Sequence, residues 1–426
     1  MASTAEVHVI SKANNTVHTT VTTNTCQIHP LAANSVRVRS SLVSLTANNL
    51  SYARAGDLFG WWQAFPVPSQ LPEPYNDATQ HGIVPVWGYG EIVESKIDAL
   101  KVGTLMYGYW PASSLPVDLE LERMEPEGHW YDKTEHRKML WSLYHRYQTQ
   151  EPSLHLEELD RAQLEERAWL TIFRPVWECG FAIDRFILGD VPVHPLGKDG
   201  GDWTAEDADL SRAVVVSLSA SGKTARSFND ACLNNRKPGT GPLGFVAVTS
   251  KIDGSLLTAS TSIPARTVSY ASATSSDTLD FMASKSPNKI VIVDFGGRGD
   301  SLASLISATK THTQLSSARL LVIGCGGEAK VPTSSGELGQ YFQTLRRPDR
   351  IQMNTSTVRE QAIEKVGAQE YWEMIEEGWQ GFVDRGNMKD LKLELANGVK
   401  TFEHGWRRLC EGGAADVDGM AFRFDQ

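Results

Sequence analysis

The chain opens with short runs in which apolar and polar positions alternate. Val7 and Val9 alternate with polar neighbours, residues 16–22 are rich in threonine and valine, and Val36, Val38, Leu42 and Leu45 punctuate a third run. A period of two predicts half-buried β-strands across residues 6–45. Pro66, Pro68, Pro72 and Pro74 predict a loop, and the glycine-punctuated stretch 88–95 predicts another strand. The period then changes. Met139, Leu140, Leu143, Tyr144 and Tyr147 fall at helical spacing, as do Leu164, Trp169, Leu170 and Phe173, which predicts two helices between residues 132 and 173.

Beyond them, continuous apolar runs alternate with helical stretches. Strands are expected at 213–218, 244–249, 290–295 and 320–323, with helices at 222–235, 277–285 and 301–310. Strands that read as unbroken Val, Ile and Leu belong in a parallel sheet covered on both faces, and the intervening helices make right-handed crossovers. Trp372, Ile375, Trp379 and Phe382 form one helical stripe near the end, and residues 420–424 read as a last strand. The fold class expected is α/β: a β-rich domain plus a Rossmann-type, doubly wound parallel-sheet domain.

A length of 426 residues fits two or three domains. The expected division is a β-rich substrate domain over 1–165 with a helical insertion at about 127–165, a nucleotide-binding domain over 166–345, and a return to the first domain over 346–426. With 41 basic and 51 acidic residues the net charge is −10, and no basic block interrupts it, which disfavours nucleic acid as a partner. Five scattered cysteines without a CxxC disfavour a disulfide scaffold or a cysteine-built zinc site. No apolar run approaches membrane-spanning length and no leader pattern opens the sequence. A cytoplasmic location is therefore expected.

In a doubly wound sheet the first strand-to-helix turn cradles phosphate on backbone N–H groups. Here that turn runs Ser217-Leu218-Ser219-Ala220-Ser221-Gly222-Lys223-Thr224. Of the glycines in G-x-G-x-x-G only Gly222 survives, and a P-loop would need glycine where Ser217 stands, so a dinucleotide is favoured over a nucleoside triphosphate. The plainer alternative is a polar turn in which Ser219 or Ser221 caps the helix. After the second strand come Thr249, Ser250 and Lys251, where an NAD site carries an acid; hydroxyls and a lysine suit the 2′-phosphate of NADPH instead. Gly296 and Gly297, after the third strand, leave room for a nicotinamide ribose. The cofactor-binding set is thus Ser219, Ser221, Gly222, Lys223, Thr224, Thr249, Ser250, Lys251, Gly296 and Gly297.

Ala47-Asn48-Asn49-Leu50-Ser51-Tyr52, Val86-Trp87-Gly88-Tyr89-Gly90-Glu91-Ile92-Val93, Lys101-Val102-Gly103 with Gly108-Tyr109, and Phe402-Glu403-His404-Gly405-Trp406 resemble successive segments of the medium-chain dehydrogenase/reductase superfamily. The first of these matches the loop before that superfamily's substrate site. The resemblance covers nearly the whole chain and implies a GroES-like β domain interrupted by a Rossmann domain. Gly88-Tyr89-Gly90-Glu91 lacks the histidine of zinc-dependent members, and their four clustered cysteines are absent, so the resemblance narrows to the zinc-free quinone-oxidoreductase and enoyl-reductase branch, with no metal expected. Phe173-Arg174-Pro175, residues 186–188 and the serine-rich turn look most like a largely fungal subfamily of unknown function.

Such a resemblance implies hydride transfer from NADPH to an activated C=C or C=O of a small molecule, such as an enone, a quinone or a polyketide-like secondary metabolite. By position, Tyr52 is the candidate acid and Asn49 an orienting amide. The segment 127–147, a candidate lid, adds Tyr131 and the potential base His136, and Arg174 could clamp a carboxylate or enolate or equally cap a helix end. Tyr52 as core packing and His136 on a solvated helix face are the competing structural readings. Two other functions compete: a cofactor-independent lyase, hydrolase, isomerase or cyclase reusing the fold, and a non-enzymatic binding protein. A homodimer is expected by analogy.

Overall fold

The computed structural model describes residues 4–24, 29–151, 154–250, 252, 262–326, 350–412 and 418–424. They fall into two compact units. The first holds residues 4–173 and 391–424, and the second holds 174–326 and 350–390. The stretch 346–390, expected in the first domain, belongs from Arg350 onward with the second, and the chain returns at Leu391.

The chain begins with the antiparallel pair β1 (Thr4–Ser11) and β2 (His18–Asn24), then β3 (Ser35–Leu45) and helix α1 (Ala47–Arg54). Residues 47–52 are thus helical rather than a loop. Thr46 caps the helix and accepts from Asn48 N, while Asn49 Oδ1 accepts from Thr46 N at 2.7 Å. Asparagine here performs the back-bond that a glutamate or glutamine makes in the usual capping box. The two-residue strand β4 (His81–Gly82) pairs with β1. There follow β5 (Pro85–Ser95), β6 (Leu105–Pro111), β7 (Val117–Met124), β8 (His129–Asp132) and β9 (Arg146–Thr149).

β8 and β9 replace the first of the two helices expected after residue 132. They pair with each other, β9 also with β6 and β8 with β7, while β7 pairs back onto β3. The candidate lid is therefore wall: it completes a closed sheet in the order β3-β5-β6-β9-β8-β7. Closure removes free strand edges. Between β8 and β9 the chain makes 3₁₀ turns at Glu135–Arg137 and Ser142–His145. A fully buried ion pair, Arg137 Nη1 to Asp132 Oδ2 at 2.7 Å, pins them, and Arg137 also donates to Tyr147 Oη (2.7 Å) and to Tyr144 O (2.8 Å). Helical spacing failed as a guide because this buried charge, not an apolar stripe, organises the segment; Met139 and Trp141 are left facing solvent.

Helix α2 (Arg161–Ala182), the second helix expected, leads into the second unit. There the order is β10 (Ala213–Leu218), α3 (Lys223–Asn234), β11 (Gly244–Thr249), β12 (Ala265–Ser269), α4 (Ser276–Ala283), β13 (Lys289–Asp294), α5 (Ser301–Thr311), β14 (Arg319–Gly324) and β15 (Ile351–Gln352). All six strands are parallel, in the order β12-β11-β10-β13-β14-β15. Every residue of β10, β11 and β13 is buried, as the unbroken apolar runs required.

Helices α6 (Thr355–Val366) and α7 (Ala368–Asp384) follow, and the stripe Trp372, Ile375, Trp379, Phe382 is buried. One carboxylate ties α2, α6 and α7 together: Glu178 accepts two bonds from Arg359, each of 2.5 Å, and one from Tyr371 Oη at 2.7 Å. The chain closes in the first unit with β16 (Leu393–Asn397), α8 (Val399–Cys410) and β17 (Gly419–Arg423), which pairs antiparallel with β3 and parallel with β16. Among the described residues no helix is long and apolar enough to cross a membrane.

Removing Asp132 would strand the Arg137 guanidinium in the first unit's interior. Asp132→Ala is expected to cost about 3–5 kcal/mol, read as a lowered unfolding midpoint for that unit; a loss within about 0.5 kcal/mol, the range of ordinary surface changes, would show that the pair does not organise the turn.

Candidate functional site

In the second unit the strand order reverses beside β10, whose neighbours are β11 and β13, and the carboxyl ends of β10 and β13 meet at this switch point. Ligands of open parallel sheets bind there. β10 ends at Leu218, and Ser219 turns the chain with φ 72°, in the left-handed region. Ala220 N donates to Val248 O (2.9 Å), Gly222 N to Ser219 O (3.0 Å), and Asn229 Nδ2 reaches back from α3 to Ala220 O (3.0 Å). Thr249 Oγ1 donates to Ser221 Oγ at 2.9 Å, which joins the turn to the end of β11.

The turn is a rigid loop with an open mouth. Ser219, Ser221, Lys223 and Thr224 are half-buried and Gly222 is exposed. Neither Ser219 nor Ser221 caps α3: its N-cap is Gly222, whose position carries no side-chain bond to the helix. The first N–H groups of α3 carry its positive dipole end. Ser250 is exposed at the end of β11, and Lys251 lies outside the described residues.

The loop after β13 forms the other wall. Asp294 Oδ1 accepts from Gly296 N (3.1 Å) and Gly297 N (2.7 Å), and Asp294 Oδ2 accepts from Arg350 Nε at 3.1 Å. Arg350 Nη2 also donates to Gly326 O (2.6 Å), and its guanidinium lies where a side chain on Gly324 would stand, 1.9 Å from an added Cβ. An added Cβ on Gly297 would sit 2.5 Å from Leu218 Cδ2. Only glycine lets this loop rest on the end of β10. Beside it, Ser301 Oγ is buried without a hydrogen-bond partner among the described residues. A small-residue turn, an open helix N-terminus, a loop drawn down by a buried carboxylate and an unmatched hydroxyl fit a phosphate-linked nucleotide. Sequence reasoning missed Asp294 and Arg350 as the groups that hold the wall, although an acid closing a strand before two glycines was the available signal.

The candidates in the first unit are placed differently. Asn49 and Tyr52 share α1, and both are only 3 % exposed. Asn49 is spent on the cap and on a bond from Nδ2 to Pro85 O (2.9 Å), so it has no free amide to orient a substrate. Tyr52 Oη accepts from Asn48 Nδ2 (2.7 Å) and Trp87 Nε1 (3.0 Å), and its ring meets Trp61 edge-on at 4.8 Å. Burial pushes its pKa up to about 12, against the opposing hydrogen bonds led by that from Trp87. That suits a fixed hub better than an acid working near neutrality.

Tyr131 is half-buried and stacks on His145, the centroids 4.9 Å apart. His136 is exposed and shares with Arg137, Phe65 and Leu119 the lining of a cavity of about 370 Å³; desolvation and then Arg137 lower its pKa. Tyr52 connects toward that cavity through Tyr109 and Phe65, and through Tyr144, whose carbonyl accepts from Arg137. In the second unit, Arg174 pairs with Glu376 and lies 5.8 Å from the ring centroids of both Trp177 and Trp379. It is no free clamp for a substrate anion. Among the described residues no three His, Cys, Asp or Glu side chains are grouped to hold a metal.

Comparison with known proteins follows the fold. The profile of a family described as "Protein of unknown function (DUF2855)" matches residues 43–415. No curated protein matches the sequence. Among solved structures, CurA from Vibrio vulnificus is similar at 12% identity and TM-score 0.52, covering 100% of this chain and 99% of its own, and CurA has also been solved in complex with NADPH. A mutant form of enoyl thioester reductase from Candida tropicalis matches at 9% identity and TM-score 0.54, covering 99% and 100% of the two chains. A provisionally named NADPH:quinone reductase from Bacillus thuringiensis matches at 10% identity and TM-score 0.53, covering 99% of each. At these identities the likeness is one of fold.

Tyr52→Phe would leave the Asn48 and Trp87 donors unmatched inside the first unit, a cost of about 1–3 kcal/mol. Because the folded-state pKa lies above the free value of 10.0, the stability held by the neutral phenol is complete below pH 10 and is lost as pH rises towards 12. Denaturant midpoints measured across that window should fall less in Tyr52→Phe than in the parent; parallel curves would refute the hub.

Proposed function

The chain belongs to the family described as a protein of unknown function (DUF2855), and on that footing we propose that it is a zinc-independent, NADPH-dependent reductase of an activated C=C or C=O in a small molecule. The observation that carries this reading is the parallel sheet β12-β11-β10-β13-β14-β15 with a small-residue turn opening α3 at its switch point. The NADPH complex and the reductases that share the fold support a nicotinamide over a nucleoside triphosphate. Fold similarity alone leaves the reaction to be argued from residues.

In this reading Ser219, Ser221, Gly222 and the first N–H groups of α3 receive the diphosphate, with Lys223 adding charge and Thr224 lying along the same turn. Thr249 and Ser250 end β11 without an acid to repel a 2′-phosphate, which favours NADPH over NADH, and Lys251 would add a cation to it. Gly296 and Gly297 keep the nicotinamide side open. When bound, NADPH supplies a hydride to the electrophilic carbon. The protein then has to place a donor near the substrate oxygen. Tyr52 acts as a positioning residue holding Trp87 and Asn48, while Tyr131 and His136 are the partly exposed candidates of the first unit. Enones, quinones and polyketide-like intermediates are the substrate class. The link to a largely fungal subfamily, a cytoplasmic setting and a homodimer belong to the same proposal.

One observation favours a second reading. His136, its pKa lowered, lines a cavity with Phe65, Leu119 and the charged Arg37, Asp118 and Arg137, a setting that suits proton transfer without a cofactor, as in a lyase, hydrolase, isomerase or cyclase.

Titration with NADPH, followed by nicotinamide fluorescence, separates the two. Saturable binding is expected, with Lys223→Ala and Gly297→Ala each raising Kd by about tenfold, the equivalent of about 1.4 kcal/mol. Absence of binding at millimolar NADPH would overturn the reductase reading. Turnover without nicotinamide that is lost in His136→Ala would establish the second.

A further inference from the structure

Neither reading uses the sulfur cluster of the second unit. Cys179 lies on α2 and Cys325 directly follows β14, far apart in sequence, yet their Sγ atoms stand 3.1 Å apart with both residues half-buried. Met353 Sδ lies 3.7 Å from Cys179 Sγ. The approach is imposed by the backbone on both sides: Cys325 N donates to Asp294 O (2.8 Å) and Met353 N to Gly324 O (2.7 Å). Helix α2 is held in turn by the adjacent Glu178 with Arg359 and Tyr371.

The two thiols are not equivalent. Cys179 is held below its ordinary pKa, first by the hydrogen bond from Cys325 and also, against burial, by a bond from Thr355 in the first turn of α6. Cys325 is raised by the same partnership and by burial. The remaining described cysteines differ. Cys232 is fully buried, and burial pushes its thiol far up; Cys410 lies in the first unit with its pKa raised to about 11. Thiolate character, access and an adjacent resolving thiol are what a redox-responsive cysteine needs.

We propose that Cys179 and Cys325 are a hydroperoxide-sensitive modification site that closes to a disulfide. The Cys179 thiolate attacks the distal oxygen of a hydroperoxide, the O–O bond breaks, and Cys179 becomes a sulfenic acid as the peroxide leaves as an alcohol, or as water when the oxidant is hydrogen peroxide. The Cys325 sulfur then attacks the Cys179 sulfur. The S–S bond forms, the S–O bond breaks, and the departing hydroxide takes the Cys325 proton and leaves as water. The two thiols together lose two electrons and two protons, and the peroxide is reduced. A small dithiol reverses the step by thiol–disulfide exchange.

The test uses the full reduced chain exposed to hydrogen peroxide. Two of the five thiols should disappear, peptide mapping should link the Cys179 and Cys325 peptides, and dithiothreitol should restore both. Cys325→Ser should accumulate a sulfenic acid at Cys179 that dimedone traps, whereas Cys179→Ser should slow oxidation of Cys325 by about tenfold or more. Linkage of a different pair, or both thiols persisting under peroxide that oxidises Cys410, would overturn the proposal. So would unchanged Cys325 oxidation in Cys179→Ser. None of these outcomes depends on whether the protein binds NADPH.

Discussion

A parallel sheet must be covered on both faces, and the second unit follows from that constraint. Its central strands β10, β11 and β13 are buried along their whole length because neither face meets water, and its crossovers are helices because only a long connection returns the chain to start another parallel strand. The carboxyl ends of the strands are then a place where backbone, polar side chains and solvent meet. Everything nominated there, from the turn at Ser219 to the glycines after Asp294, is a consequence of where the sheet has to stop.

Buried charge does in both units what apolar packing cannot do alone. Asp132 with Arg137 folds the segment between β8 and β9 into a tight turn, Glu178 gathers three helices through Arg359 and Tyr371, and Asp294 with Arg350 seats a loop against the neighbouring strand. In each case a carboxylate fixes direction as well as proximity, because its bonds are satisfied in one arrangement only. Such groups are costly to bury and costly to break, which makes these loops more definite than their lack of regular structure suggests.

The second unit was legible because continuous Val, Ile and Leu runs are a strong signal; β10 and β11 begin and end where the pattern places them. The segment 127–147 was not, since spacing records which residues are apolar and says nothing of a buried Arg137. Likewise α1 was hidden because residues 47–52 resemble a loop segment, which gave no hint that Asn49 would bond back to Thr46. At the site, the turn residues were readable from their size and position. Core packing was legible as one reading of Tyr52, but the bonds made by Asn49, Tyr52 and Arg174 were not, because side-chain partners such as Trp87 and Glu376 are distant in sequence.

The placement of β17 carries a consequence for the way the molecule is made. This strand lies between β16 and β3, so β3 keeps an open edge until residues 420–423 arrive to fill it. Every strand of the second unit has left the ribosome by then. The second unit can mature before β17 is made, and until β17 arrives the edge of β3 needs protection from unwanted pairing.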